Sequence, residues 1–352
     1  MNILNQPTAE QMDVQNAILA GIASNLGGIQ VKIWADVQQI TRMGLAEKMF
    51  KVGDQFLAEY KSVPTIFNVI GIDHPGLVPT DPRFTHTLAL QPQDCLMNAR
   101  IDAPQAIFGA MTELLAGTHI FTLNGIKYQV TTTQPIPVGG VMVGATWGDT
   151  YEPLTITTYG AGRVTPIESS LPVTTATGAD TITVNDHIRC RYGSNRYVHS
   201  ALKQWMNSND TTFVWVPKGQ YDMPSSYETS GFLKLLDPEL VAVLGAVTNK
   251  VAKATYDGGG QDSFVDKVFL LSRVELGYGP EGVTTGESVY EFYDGVSDAN
   301  RIKLLSGSPR YWWLRSPYVG DTYNTRHVYP SGTLGNYTAF YANGLSPACV
   351  IW

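Results

Sequence analysis

Cysteine, charge and long apolar runs are all scarce in this sequence. The three cysteines, Cys95, Cys190 and Cys349, are far apart and odd in number. This pattern excludes a disulfide framework and a paired Cys-x-x-Cys metal site, and it favours a reducing compartment for folding. The longest apolar run, residues 240–247, is far too short to span a bilayer, and residues 1–11 lack an export signal. We therefore expect no membrane insertion.

Charged residues make up only 16% of the chain, and the formal net charge is −7 without any Lys/Arg-rich run. Nucleic acids and anionic membranes require clustered cations, so neither is an expected partner. The six histidines show neither His-x-x-x-His nor His-Glu-x-x-His spacing, and Gly258–Gly260 lacks the Lys-Ser/Thr of a phosphate loop. We predict no metal and no cofactor. Two interpretations of the Gly-rich run remain, a turn between strands or calcium coordination by Asp257, Asp262 or Asp266.

Length and composition predict two folded domains, or two with an appendage, that are rich in turns. A chain of 352 residues exceeds the usual size of a single core, and its 43% hydrophobic content is ample for folding. The 34 Gly, 20 Pro and 18 Tyr indicate short strands joined by many loops.

Two helices are predicted near the start. Thr8 and Gln11 form a capping-box pattern for a helix over residues 9–26, which ends at Gly27-Gly28. This helix either docks on its own domain or forms a short oligomerising bundle. A second helix is predicted over about residues 36–51, ended by Gly53.

Strand signals dominate the rest of the chain. Asn124-Gly125 predicts a hairpin over residues 119–131, and further strands over 141–145 and 154–159 suggest a β-sandwich or barrel-like module. The Thr/Ser/Pro/Gly-rich stretch 163–186 suggests a boundary near residue 185. Beyond it we predict helices capped by Ser200 and by Asp237-Pro238, and strands over residues 250–255, 268–271, 311–314 and 348–352.

The stretch from residue 317 to residue 347 is crowded with Tyr, Asn and short polar residues and holds almost no aliphatic ones. That is the composition of a binding surface built from rigid aromatic and adaptable polar side chains. An ordinary long surface loop has a similar composition, so both interpretations stay open on composition alone. The candidate ligand-binding residues are Tyr318, Asp321, Tyr323, Asn324, Arg326, His327, Tyr329, Ser331, Asn336, Tyr337, Tyr341 and Asn343.

Several segments occur in an order that resembles a known family of phage and prophage proteins, many of them targets of diversity-generating retroelements. In the second half these are 191–196 (RYGSNR), 199–208 (HSALKQWMNS), 266–272 (DKVFLLS), 311–317 (YWWLRSP) and 347–351 (PACVI). In the first half they are 34–38 (WADVQ), 44–46 (GLA), 52–55 (VGDQ), 102–106 (DAPQA) and 116–118 (AGT). The resemblance covers nearly the whole chain.

The resemblance implies a C-terminal domain with a C-type-lectin-like fold related to formylglycine-generating enzymes. The expected fold class is therefore α+β, with an N-terminal helix in residues 1–30, a β-rich, sandwich-like attachment domain in 31–185 and the lectin-like domain in 186–352. In such proteins a reverse transcriptase copies a template into the 3′ end of the gene with errors at adenines. These errors change codons to those for Asn, Tyr, Asp, His, Ser and Thr, the residue types that fill the predicted variable region, about 317–347. Trp312, Trp313, Leu314, Val350 and Ile351 are expected to form the buried scaffold, with Arg315 fixing the base of the loop.

The expected function is that of a phage receptor-binding protein at the tail tip or tail fibre, displayed on the virion after synthesis in the host cytoplasm. Its expected partners are a bacterial surface glycan or protein, other virion subunits and further copies of itself, with a trimer favoured. The alternative is a structural or decoration protein that packs against other virion subunits. We do not expect an enzyme, because Cys190 and Cys349 form no recognisable reactive pair.

Overall fold

A computed structural model describes residues 33–102, 106–109, 112–123, 126–138, 140–144, 155–160, 166–182, 192–211 and 228–352. The α-helices in these ranges are short: α1 (Trp34–Arg42), α2 (Ala46–Met49), α3 (Ala201–Met206) and α4 (Pro238–Val243). Single 3₁₀ turns occur at Tyr197–His199, Phe232–Lys234, Thr255–Asp257, Glu291–Tyr293 and Asp298–Arg301. None of the helices in the described ranges is long and apolar enough to cross a membrane.

The strands are numbered in chain order. In the first half they are β1 (Gln55–Tyr60), β2 (Val63–Ile72), β3 (Val78–Pro79), β4 (Leu88–Pro92), β5 (Met97–Ala99), β6 (Ala106–Gly109), β7 (Gly117–Leu123), β8 (Ile126–Thr132), β9 (Val141–Gly144), β10 (Thr155–Tyr159) and β11 (Pro166–Thr175). In the second half they are β12 (Val247–Ala252), β13 (Gln261–Asp266), β14 (Val268–Phe269), β15 (Lys303–Leu305), β16 (Ser308–Arg310), β17 (Trp312–Pro317), β18 (Asn324–Val328), β19 (Leu334–Thr338), β20 (Asn343–Leu345) and β21 (Ala348–Ile351).

Two five-stranded sheets share one hydrophobic core. Their strand orders are β1-β2-β4-β21-β14 and β19-β18-β17-β20-β5. Each sheet combines strands from residues 55–99 with strands from the last 85 residues or so; for example, Leu90 of β4 pairs with Cys349 of β21. The sequence analysis assigns these two stretches to different domains, whereas the strand pairing joins them in one core.

A six-stranded sheet is built from the middle of the chain, in the order β6-β9-β10-β11-β8-β7. It has its own small hydrophobic cluster, which includes Phe121, Ile136 and Met142. The predicted hairpin is confirmed, because β7 and β8 pair antiparallel with Leu123 opposite Ile126. Asn124-Gly125 itself lies outside the described residues.

The predicted helix caps in the second half are confirmed. The hydroxyl of Ser200 accepts a hydrogen bond of 3.2 Å from the backbone N–H of Lys203 at the start of α3. The carboxylate of Asp237 accepts one of 2.8 Å from the N–H of Glu239, with Pro238 at the first position of α4. These side chains satisfy backbone donors that the helix itself leaves free.

The expected α+β class is wrong, because the described residues are 39% strand and only 15% helical, and their strands form several separate sheets. The N-terminal helical region is not evident there. The helix predicted over 9–26 lies outside the described residues, and the one predicted over 36–51 is two short helices. Gly44 separates them with a left-handed φ of 67°, and an added Cβ there would lie 2.6 Å from His86 Nε2. The C-terminal lectin-like domain belongs to the same incorrect expectation.

Candidate ligand-binding surface

The hairpin of β18 and β19 places the predicted site residues on two faces. His327 lies opposite Gly335 in the strand register, and Arg326 lies opposite Asn336. Because successive side chains point to opposite faces of a sheet, His327 and Arg326 lie on different sides of the hairpin. The candidate residues are therefore divided between two environments.

An aromatic pocket lies on the His327 side. It has a volume of about 320 Å³ and is lined by Tyr311, His327, Tyr329, Tyr337 and Asn343. The His327 ring meets the ring of Tyr311 edge to face, with a centroid distance of 5.2 Å, and that of Tyr329 at 4.8 Å. Such edge-to-face contacts are a favourable arrangement of aromatic rings and hold the pocket walls in place.

His327 is the buried member of this pocket. Its side chain is 2% exposed, and burial, assisted by the positive charge of Arg326, lowers its pKa to about 4. The imidazole is therefore neutral at physiological pH. The amide nitrogen of Asn343 lies 3.4 Å from Nδ1.

A patch of exposed tyrosines extends outward from the pocket. Tyr311, Tyr329, Tyr337 and Tyr341 are 39%, 37%, 44% and 44% exposed, and we call these four residues the tyrosine patch. Tyr337 and Tyr341 lie side by side with ring centroids 4.4 Å apart, and a hydrogen bond between them raises the pKa of Tyr337. Among the described side chains, the exposed large hydrophobic residues that are aromatic all belong to this patch.

The first part of the candidate segment forms a turn that is bonded to itself. The Asp321 carboxylate accepts hydrogen bonds from the backbone N–H groups of Tyr323, at 3.0 Å, and Asn324, at 2.7 Å. It also accepts one of 2.6 Å from the Asn324 side chain. The Tyr323 ring stacks on Tyr192 with a centroid distance of 5.0 Å. These side chains stabilise the loop.

A buried asparagine anchors the same turn from outside. Asn195, which is 0% exposed, directs its side-chain N–H groups at the carbonyls of Tyr318, Asp321 and Asn324, at 3.2, 2.9 and 2.9 Å. Asn195 belongs to the RYGSNR segment, and no role was predicted for it from the sequence. Its place between two arginines of this segment was the only sequence signal. This signal could not predict the role of Asn195, because its hydrogen-bond partners lie more than 120 residues away.

Arg326 and Tyr318 lie away from the aromatic pocket. Arg326 binds both carboxylate oxygens of Glu281 at 2.7 Å, and its guanidinium lies 4.8 Å from the Tyr318 ring centroid. Burial alone would raise the pKa of Glu281, but the hydrogen bonds from Arg326 and Arg273 outweigh burial and lower it. This ion pair joins the hairpin to the preceding loop.

The remaining candidates lie at the margins. Ser331 is exposed in the β18–β19 turn, where its hydroxyl is 2.9 Å from that of Thr333. Asn336 is half-buried on the Arg326 side of the hairpin. Within the described residues, the pocket thus brings together His327, Tyr329, Tyr337 and Asn343, and Tyr341 joins them at its rim.

Tyr311 is the pocket residue that sequence reasoning missed. It precedes the predicted variable region, and the sequence analysis assigned it to a strand with Trp312 and Trp313. The available signal was its position two residues before Trp313, because alternate residues of a strand share a face. Trp313 pairs with His327, so Tyr311 lies on the His327 side of the sheet.

A buried charge network surrounds Arg315. Arg315 was predicted to fix the base of the 317–347 loop, but the hydrogen-bond partners of its guanidinium among the described residues lie within 249–275. Its guanidinium, 0% exposed, binds the Glu275 carboxylate at 2.5 and 2.7 Å and the carbonyls of Leu270 and Lys250 at 2.8 and 3.0 Å. Burial alone would lower the pKa of Arg315, but the carboxylate of Glu275 outweighs it and the pKa is raised. The predicted scaffold residues Trp312, Trp313, Leu314, Val350 and Ile351 are all 0% exposed.

The described carboxylates, histidines and cysteines form no cluster of three that could hold a metal ion. Gly258–Gly260 is a turn between β12 and β13, and all three glycines have left-handed φ values. Asp262 binds Arg196 at 2.9 Å, and Asp266 lies 2.9 Å from Lys203 Nζ. Burial raises the pKa of the Cys349 thiol to about 12, while Cys190 lies outside the described residues.

Residues 177–352, half of the chain, match a protein family described as a domain of unknown function, DUF6273. The chain belongs to this family. The DUF6273 match contains the aromatic pocket, the tyrosine patch and the Arg315 network, but not the strands of residues 55–99 that pair with it. Searches of curated proteins and of solved structures find no match.

Proposed function

We propose that this chain is a phage virion protein, at the tail tip or tail fibre, that binds a ligand on the bacterial surface through its tyrosine patch. The observation that carries the proposal is the clustering of the exposed aromatic residues in one patch beside one pocket. Exposed apolar side chains that gather in one place mark interaction sites, whereas scattered ones carry no such meaning. The phage setting rests on the sequence resemblance.

The support beneath the patch fits a binding role. Tyrosine gives a large, rigid contact area and loses little conformational entropy on binding. The rings lie beside strand β17, whose residues are all buried, including Trp312 and Trp313 at 0% exposure. A rigid frame of this kind lowers the cost of binding, because the ligand-facing groups are already ordered.

Binding to intact bacteria tests this proposal. The purified chain is labelled and incubated with a panel of gut bacteria, and bound protein is measured by flow cytometry. We expect binding to at least one strain, and replacement of all four patch tyrosines by Ala should reduce it at least about thirtyfold, as for the loss of several interface hot spots. The melting temperature should change little, because all four side chains are exposed.

A matched control removes the same number of exposed apolar side chains elsewhere. Val63, Val78, Val265 and Val283 are 60%, 57%, 53% and 44% exposed, and none of them lines the pocket. Their replacement by Ala should leave cell binding unchanged. Equal losses in the two variants, or binding to virion subunits instead of cells, would contradict the proposal and favour a structural or decoration role.

The gene itself tests diversification. If a retroelement template rewrites the 3′ end, adenine-bearing codons should vary among natural copies at the patch positions 329, 337 and 341. Codon 332 should stay constant, because an added Cβ at Gly332 would lie 1.7 Å from the Asp298 carbonyl oxygen. Deep sequencing of natural copies checks this pattern, and uniform variation along the gene would contradict it.

Several copies on one particle would strengthen a weak contact. A single pocket of about 320 Å³ is small for tight binding, and linked sites raise the effective concentration of the second contact. We therefore propose a homo-oligomer, with a trimer favoured. One chain has a mass of 38.5 kDa, and light scattering of the purified protein should give three times this mass. A monomer at micromolar concentration would contradict the trimer.

A further inference from the structure

The aromatic pocket has the shape and lining of a site for one small ring. Its volume of about 320 Å³ lies at the lower end of the range for small-molecule sites. The rings of Tyr311, Tyr329 and His327 line it and contact one another, with centroid distances of 4.8 to 5.3 Å. A ligand that enters must therefore present an apolar face to these rings.

The lining carries no ionised side chain. Its members are three tyrosines, the neutral His327 and the amide of Asn343. The nearest cation along the strand, Arg326, points to the other face and is paired with Glu281. An anionic ligand would lose hydration in the pocket without finding a counter-ion. A quaternary cation could recover part of that loss from the tyrosine faces, but it could not hydrogen-bond to the Asn343 amide, so the lining favours a neutral ligand with polar groups.

Polar groups are present at the pocket, so a purely apolar ligand also fits poorly. Asn343 is 9% exposed and offers an amide, and the tyrosine hydroxyls can donate and accept hydrogen bonds. The ligand should therefore combine an apolar face with a polar edge. A pyranose ring has this combination, because its C–H groups form apolar faces and its hydroxyls project around the edge.

We infer that the aromatic pocket binds one ring of a neutral saccharide, packed against the rings of Tyr311 and Tyr329 and hydrogen-bonded to Asn343. This inference rests on the proposed function and names the chemistry of its ligand. It also assigns a role to Tyr311, which lies outside the segment of predicted variation and would be a constant wall of the pocket.

Saturation-transfer NMR on the full chain tests the inference. The probes are the methyl glycosides of glucose, galactose, mannose and N-acetylglucosamine, with N-acetylneuraminic acid as the anionic probe and choline as the cationic probe. We expect transfer to the ring C–H protons of at least one neutral glycoside and none to the charged probes. Binding only of choline, only of N-acetylneuraminic acid, or of no probe would overturn the inference.

Variants identify the pocket as the site. Tyr311→Ala should weaken glycoside binding at least about tenfold, whereas Tyr311→Phe keeps the ring and most of the binding. Gly335→Ala should also block the pocket, because the new Cβ would lie 2.2 Å from the Tyr329 ring and displace it. Val265→Ala, at an exposed position on β13, is the matched control that leaves binding unchanged. Glycoside binding that survives both pocket substitutions would overturn the inference.

The two proposals fail in different ways. Cell binding that depends on the tyrosine patch without any glycoside binding would leave the proposed function standing, reject the saccharide and point to a protein ligand. Glycoside binding without cell binding would leave the saccharide site standing and reject the proposed role in binding bacteria.

Discussion

Residues 318–326 and residues 327–343 have similar compositions, but their side chains serve different purposes. In the first stretch, Asp321 bonds the backbone of its own turn and Arg326 is paired with Glu281. In the second, Tyr329, Tyr337 and Tyr341 are exposed in one patch. A polar, tyrosine-rich segment therefore holds both residues that stabilise the frame and residues that form the surface, and their hydrogen-bond partners distinguish the two groups.

The largest expected effect comes from the frame beneath both stretches. Arg315→Met should lower the free energy of unfolding by about 3–5 kcal/mol, because it leaves the buried Glu275 carboxylate without its partner. Urea denaturation measures the loss. Adding Glu275→Gln should recover part of it, since the closer of the two buried carboxylate charges is then gone, while Glu287, 4.0 Å from Arg315, remains. A loss below about 1 kcal/mol in the single variant would show that the network does not support the sheet.

Acid should weaken the second stretch through His327. Its pKa is lowered from the ordinary 6.5 to about 4 by burial, so the unfolded chain binds the proton more readily than the folded one. The stability contribution is therefore present above pH 6.5 and is lost as the pH falls through about 4. The expected loss is on the order of 3 kcal/mol.

The pH dependence is measured by urea denaturation between pH 7 and pH 4. In the His327→Gln variant the decline over this interval should be shallower than in the wild type by about that amount, because Gln does not titrate. Parallel curves for the two proteins would mean that His327 is not held neutral by its surroundings.

A smaller loss is expected from the anchor of the first stretch. Asn195→Ala removes the side-chain donors that bind three carbonyls of the 318–324 turn and should cost about 1–3 kcal/mol. Amide hydrogen exchange should rise within this turn. The exchange of residues 334–338 is the internal control, and an equal rise there would contradict a local anchoring role.

Local features of the fold could be predicted from the sequence, whereas long-range pairing could not. Asn124-Gly125 predicted the β7–β8 hairpin, and Ser200 and Asp237 predicted helix starts, because turns and caps depend on neighbouring residues. The pairing of Leu90 with Cys349 joins distant segments, and no local pattern specifies it. The boundary near residue 185 followed composition, which carries no information on strand partners.

The candidate site was predictable to a similar extent. Composition identified the tyrosine-rich segment, and the structure places Tyr329 and Tyr337 at the pocket. Composition could not separate Tyr323, which stacks on Tyr192, because stacking depends on a residue 131 positions away. Tyr311 was missed because it was grouped with Trp312 and Trp313, which follow it and are buried scaffold. The alternation of side chains along the strand places Tyr311 at the pocket.

The smallest expected effect on stability comes from a residue of the tyrosine patch. Tyr337→Ala should change the free energy of unfolding by less than about 0.5 kcal/mol, because the side chain is 44% exposed. Thermal and urea denaturation check this value. A loss above about 2 kcal/mol would mean that the patch is part of the frame.

The most direct test replaces two tyrosines by alanine in each of the two stretches. The double variants Tyr318→Ala/Tyr323→Ala and Tyr329→Ala/Tyr337→Ala are compared for binding to the bacteria that the wild type binds, per mole of folded protein. We predict that the first variant loses stability by about 1–3 kcal/mol but keeps binding. The second should keep its stability and lose binding. The opposite result, with binding lost only in the first variant, would contradict the assignment of Tyr329 and Tyr337 to the binding surface.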